Sequence, residues 1–62
     1  MPRNAAETRR RILEASYELF YRKGYHRISI DDIAAWAGMT KRTLYNHFKS
    51  KDELLVLLRH KL

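Results

Sequence analysis

Sixty-two residues without a cysteine make one small domain that must hold together by packing alone, with no disulfide framework and no Cys-ligated zinc. Thirteen Lys and Arg against seven acids leave a net charge of +6, which points to a polyanionic partner, nucleic acid ahead of a membrane surface. No apolar run approaches the length of a membrane span and the start lacks the apolar segment of a signal peptide, so the expected location is cytoplasmic.

In chain order the sequence punctuates itself into four helices, expected at about 5–23, 30–37, 41–47 and 51–62. Met1-Pro2-Arg3 reads as a frayed arm, and Asn4 followed by Glu7 as a capping box that opens the first helix. Ile12, Leu13, Ala15, Ser16, Leu19 and Phe20 then form an apolar stripe at helical period. Glu7–Arg11 and Glu18–Arg22 stand four apart in the favourable order on exposed faces. The run Arg9-Arg10-Arg11 lies mostly off the stripe and is expected to be a solvated face with its acidic neighbours. Arg22-Lys23-Gly24 closes the helix with cations and then glycine, and Tyr25 is expected to fold back onto the core.

Tyr25-His26-Arg27-Ile28 is a short linker. No second strand exists to pair with it, so a second helix capped by Ser29 follows, with Asp31 and Asp32 in its first turn. Ile30, Ile33, Ala34 and Ala37 keep to one side of that helix, and Trp36 is expected to be partly buried core. Gly38 makes the turn, and Thr40 caps a short, polar, basic third helix. Steps of 100° from Leu44 put Phe48 beside it on the buried side and Lys41 and His47 on the flanks. Arg42 and Asn46 fall opposite, with Thr43 and Tyr45 beside them. That outward set of guanidinium, amide, hydroxyl and phenol suits the base edges and phosphates of a DNA major groove.

Ser50-Lys51-Asp52-Glu53 reads as another capping box opening the fourth helix. Leu54, Leu58 and Leu62 make an inward stripe, widened by Leu55 and Leu57. Val56 points the other way, so the segment is apolar nearly all round and is expected to be covered by a further domain or partner. The chain reads as cut within a helix at Arg59-His60-Lys61-Leu62. The fold class is therefore all-α, a small helical bundle with a three-helix helix-turn-helix core and the start of a fourth helix.

An enzyme is not expected. Ser16, Ser29 and Ser50 are explained as a core-face residue and two caps, and His26, His47 and His60 lie on separate elements without metal spacing. No cofactor or metal is called for. The competing readings are a basic helical protein-interaction module and a helix-turn-helix fragment of a DNA-binding protein outside transcription.

The series Thr8, Ile12, Leu13, Ala15, Leu19, Phe20, Gly24, Tyr25, Ser29, Ile33, Ala34, Ala37, Gly38 leads to Thr43-Leu44-Tyr45, His47-Phe48 and Ser50-Lys51. With these residues the chain, from about Thr8 to Leu55, closely resembles the N-terminal DNA-binding domain of the TetR (tetracycline repressor) family of bacterial transcriptional regulators. The resemblance implies a repressor that binds double-stranded operator DNA as a homodimer. It also implies release when a small-molecule inducer enters a C-terminal domain, which is absent here, so neither dimerisation nor inducer binding is expected of these residues alone. It further implies that Thr40 and Lys41 reach phosphate or the first base, and that Tyr45, His47 and Lys51 contact phosphate. Ser29 opens the second helix where a backbone phosphate usually sits, at the positive end of a helix. Arg42 stands where glycine is frequent in the family and Asn46 where an aromatic residue often occurs, so both bear on operator preference.

Overall fold

The computed structural model describes residues 4–59, and everything in them that is regular is helical. Helix α1 spans Ala5–Lys23, α2 Ile30–Ala37, α3 Lys41–Tyr45 and α4 Lys51–Arg59, with a 3-10 turn at Tyr25–Arg27 between the first two. The expected N-terminal arm, and the last turn of the fourth helix with His60 and Leu62, lie outside the described residues. No helix among the described residues is long and apolar enough to cross a membrane.

Each helix begins where a short polar side chain can take an orphan amide. Asn4 Oδ1 accepts the Glu7 N–H at 2.7 Å and opens α1. At the other end, Gly24 (φ 92°) sends its N–H 2.9 Å to Phe20 O. That φ belongs to glycine and forces the chain away from the helix axis. Tyr25 then packs edge-on against Phe20, ring centroids 5.3 Å apart. Ser29 and Asp32 form a reciprocal capping box on α2. The chain leaves that helix through Gly38 in the left-handed region (φ 74°, ψ 37°). Gly38 N–H reaches Ala35 O at 3.2 Å and Met39 N–H reaches Ala34 O at 2.9 Å, the double closure that a left-handed residue permits.

The core forms where the helices cross. Ile12, Ala15 and Leu19 of α1 meet Ile33, Ala34 and Ala37 of α2, and Leu44, Phe48 and Leu54 complete the cluster with Ile28. Helix α1 packs on both α2 and α4, and α2 carries α3. Among the described residues Ser16 is the buried polar one, its hydroxyl donates back to Ile12 O at 2.7 Å, and no buried side-chain polar atom is left without a partner.

Several expectations are corrected. The third helix ends at Tyr45 rather than 47. Asn46 caps it, and His47 and Phe48 N–H groups both turn back onto Leu44 O at 2.9 and 3.0 Å, tightening the last turn so that Phe48 swings inward. Trp36 is 55% exposed instead of partly buried. It lies roughly 110° round α2 from the middle of the buried arc, and alanines occupy the positions that face α1. Arg11 does not pair with Glu7 but reaches across to Ala37 O at 2.6 Å. Arg9 lies over the Phe48 ring, 4.7 Å from its centroid. Arg9 and Arg10 are exposed as expected, Arg10 pairing with Glu14 four residues on, and Arg11 alone of the three is partly buried. The fourth-helix box is lopsided: Ser50 Oγ accepts Glu53 N–H at 3.3 Å, while the Glu53 carboxylate takes the N–H of Lys49 at 3.4 Å. Arg22 does pair with Glu18, at 2.8 Å.

The α2 cap makes stability depend on acid. The N–H and hydroxyl of Ser29 donate to Asp32 Oδ2 at 2.9 and 3.0 Å. These two bonds, with the Lys23 charge nearby, hold the Asp32 carboxyl below the usual carboxylate range. A carboxyl lowered on folding stabilises the fold fully above its unfolded pKa of about 3.9, and the contribution fades as pH falls through the lower folded value. Asp32→Asn should therefore flatten the loss of stability below about pH 4 in urea titrations followed by circular dichroism. Parallel pH profiles for parent and variant would count against this cap as an acid-sensitive element.

Candidate nucleic-acid interface

Helix α3 is too short to stand alone, since isolated helices need about 12–15 residues even when propensity is favourable. Two anchors and a cap hold it instead. Leu44 and Phe48 are fully buried, each worth about 1.5–3 kcal/mol of apolar transfer. Thr40 Oγ1 accepts the Thr43 N–H at 3.2 Å, and the two threonine hydroxyls share a 3.0 Å hydrogen bond. With one side pinned, the other is presented to solvent. Thr40, Lys41, Arg42, Tyr45 and Asn46 are exposed there, while Thr43 and His47 are half-buried at its margins. Asn46 lies past the last helical residue, yet its N–H still reaches Arg42 O at 3.1 Å. Arg42 and Asn46 therefore remain one turn apart on the outward meridian. Between residues 41 and 51 stand four cations and no acid.

The remaining two candidates sit on neighbouring elements and are less free. Ser29 is exposed at the start of α2, but its hydroxyl and amide are both committed to Asp32, and Asp31 and Asp32 bring two carboxylates to that end. The amides of Ser29 and Asp32 are thus taken before any phosphate arrives. Lys51, the first residue of α4, sends Nζ 2.9 Å to Tyr25 O and rests 4.2 Å from the Tyr25 ring centroid. An ammonium has three donors, and Tyr25 O takes one of them. Lys51 thereby ties α4 to the turn before α2 as well as contributing charge. Lys41 Nζ stands 3.5 Å from Asp31 Oδ1, linking the first turn of α3 to that of α2.

A glycine turn in the left-handed region joins a helix packed on the core to a short basic one whose polar face is exposed. That geometry coincides with a sequence match: a family model described as bacterial regulatory proteins, tetR family, fits residues 12–58. The chain belongs to the tetR family. Its relatives in that family include the HTH-type transcriptional regulator TtgR of Pseudomonas putida, 44% identical over 54 residues, which is 87% of this chain and 26% of that protein. The HTH-type transcriptional activator FasR of Mycolicibacterium smegmatis is 47% identical over 62 residues, 97% of this chain and 27% of its own. The chain spans about a quarter of the length of these curated relatives. No solved structure matches it significantly.

What the tetR pattern and the helical wheel leave out are the groups that hold the interface in place. Ser29-x-x-Asp32 is a readable box, with Asp in the place usually given to Glu or Gln. Arg11 to Ala37 and Lys51 to Tyr25 each span twenty-six residues, and no local spacing signals them. The Lys41–Asp31 pair likewise joins different helices.

That last pair sets an electrostatic balance. Both partners are largely exposed, so the pair is worth about 0–1 kcal/mol and a phosphate can displace it. Asp31→Asn should release Lys41 and remove a negative charge from the face, raising affinity for duplex DNA up to about fivefold. The gain should shrink as salt rises. Fluorescence anisotropy on one labelled duplex at two ionic strengths reads both effects. Weaker binding by the variant, or a gain indifferent to salt, would show that Asp31 does not compete with phosphate.

Proposed function

We propose that this chain is the DNA-reading head of a bacterial transcriptional regulator, laying α3 in the major groove of a double-stranded operator. The observation that carries the proposal is the one-sided burial of α3: Leu44 and Phe48 are locked in the core while Arg42, Tyr45 and Asn46 face solvent one turn or less apart. Any surface helix turns its polar side to water, but here that side carries cations and no acid between residues 41 and 51, which is what a groove reader requires. The relatives named as HTH-type transcriptional regulators support the same reading. One of them is named an activator, so the sign of regulation is left to where the operator lies rather than to these residues.

In this reading Arg42 and Asn46 address base edges, arginine toward the paired acceptors of guanine and asparagine toward adenine. Tyr45, His47 and Lys51 grip the phosphates on either side, with Thr40, Lys41 and Thr43 at the start of the helix. Phosphate contact near α2 is assigned to the amides beyond the Ser29 cap, because Ser29 itself is engaged. The homodimer, the small-molecule inducer and its pocket are assigned to the remaining length of the regulator, and the cytoplasm is where such a regulator meets its operator.

Arg42→Ala should cost about 1–3 kcal/mol on the preferred site and relax selectivity at one base pair, with a smaller loss on random duplexes. Quantitative binding to a panel of single-base operator variants reads this out. An equal drop on preferred and random DNA would make Arg42 a phosphate contact and remove the main support for base reading by Asn46.

Two heads on one operator must meet successive major grooves, about 34–36 Å apart or a multiple of it. Fusing the chain through a flexible linker to an unrelated dimerising coiled coil should raise its affinity for an inverted repeat by ~10²–10⁴. The same fusion on a repeat with half-sites moved by half a helical turn should lose most of that gain. Equal affinity for both spacings would sink the paired-head arrangement.

A further inference from the structure

Helix α1 reaches the helix-turn-helix unit with two arginines that straddle its buried stripe. Helical steps put Arg9 about 60° to one side of Ile12 and Arg11 about 100° to the other. Arg11 Nη2 donates to Ala37 O at 2.6 Å, at the last residue of α2, where carbonyls lack helical partners and the dipole is negative. The same nitrogen lies 3.3 Å from where a Cβ on Gly38 would sit, so the guanidinium rests against the glycine that turns the chain toward α3. Arg9 covers the ring of Phe48, the residue at which the chain returns from α3 to the core. One arginine holds the beginning of the recognition helix and the other its end. The contrast with Arg10 sharpens the point. Arg10 takes the local pair four residues along, whereas Arg11 passes over the equivalent Glu7 for a carbonyl twenty-six residues away.

We propose that Arg9 and Arg11 are positioning residues for sequence reading: they fix α3 relative to α1 and so decide which base edges Arg42 and Asn46 reach, without touching DNA themselves. The proposal rests on the reading function assigned to α3 above. A charge-assisted hydrogen bond to a helix end and a cation over a buried ring are directional contacts. Apolar burial of Leu44 and Phe48 is non-directional and fixes the depth of α3 more closely than its tilt, and a site one ångström too loose loses its selectivity.

Duplexes selected from a randomised library by the parent 62-residue chain provide the probe. Arg9→Met and Arg11→Met keep the aliphatic stem and remove the guanidinium, while Arg11→Lys restores a donor for Ala37 O. Arg11→Met should lower affinity for the selected duplex about tenfold, leave affinity for random duplexes close to the parent's, and keep the salt slope unchanged. Arg11→Lys should regain most of the loss. Equal losses on both kinds of duplex with a salt slope lower by about one would make Arg11 a phosphate contact and overturn the proposal. Parent-like affinity for the selected duplex would overturn it too. Were Arg11→Met to unfold, Arg9→Met carries the same comparison at the far end of α3. Backbone amide shifts of the free proteins separate this idea from the function it rests on. Arg11→Met should move the signals of Gly38 to Leu44, and Arg9→Met those of Tyr45 to Lys49. Unmoved signals refute the positioning role whether or not DNA binds. Moved signals in a chain that selects no duplex would uphold the grip on α3 and discard the reading function instead.

Discussion

A helix of five residues has almost no stability of its own, because the first turn fixes many torsions for a single hydrogen bond. Whatever holds α3 must therefore come from outside it, and in this chain that is the burial of Leu44 and Phe48. Both are at full depth: in sequence Leu44 lies midway between the exposed Arg42 and Asn46, and Phe48 follows two residues beyond Asn46. The Gly38 turn, the Thr40 cap and the tight bonds onto Leu44 O all serve to bring these two side chains to the core from a strand of chain barely long enough to do so. Helices α1 and α2 supply the floor on which they land. The outward face of α3 is thus a by-product of its inward anchors.

Charge is distributed by the same logic. The acids sit at helix starts or in surface pairs: Asp32 on the Ser29 cap, Glu53 at the start of α4, Glu14 and Glu18 with arginines of their own helix. None falls between residues 41 and 51, so the surplus of six positive charges is felt most where the polar face emerges. Two of the cations near that face are already engaged by the protein, Lys41 by Asp31 and Lys51 by Tyr25. Asp31 competes with phosphate for Lys41, whereas Tyr25 O leaves Lys51 two donors, so Lys51 is held before contact and loses less conformational freedom on binding.

How much of this was legible in the sequence follows from the range of each interaction. Caps and stripes are local, so Asn4, Ser29, Thr40, the Leu44–Phe48 pair and the all-α architecture could be read from spacing. The end of α3 could not, because the two bonds onto Leu44 O reflect Phe48 being drawn into a core built by other helices. Trp36 misled for a similar reason: its size argues for burial, but the crossing of α1 and α2 is made by alanines. The contacts of Arg9 with Phe48 and of Arg11 with Ala37 O were not legible, because those partners lie far along the chain and a basic run usually reads as solvated, which Arg9 and Arg10 indeed are. Ser29 was placed correctly as a cap, and that very role commits its amide and hydroxyl to Asp32.

The separation of anchor from face on α3 also bears on how such a domain can change over time. Arg42 and Asn46 are exposed, and the hydrogen bonds that shape the turn run through their main-chain atoms rather than their side chains. Surface substitutions of this kind usually shift stability by no more than about 0.5 kcal/mol. The two positions can therefore drift through many residue types while the fold stays intact, and, on the base-reading role proposed for them, a duplicated copy is free to acquire a new target by point mutation. Leu44 and Phe48 have no such latitude. In one short helix, adjacent positions are thus divided between those that fix the architecture and those on which divergence can act.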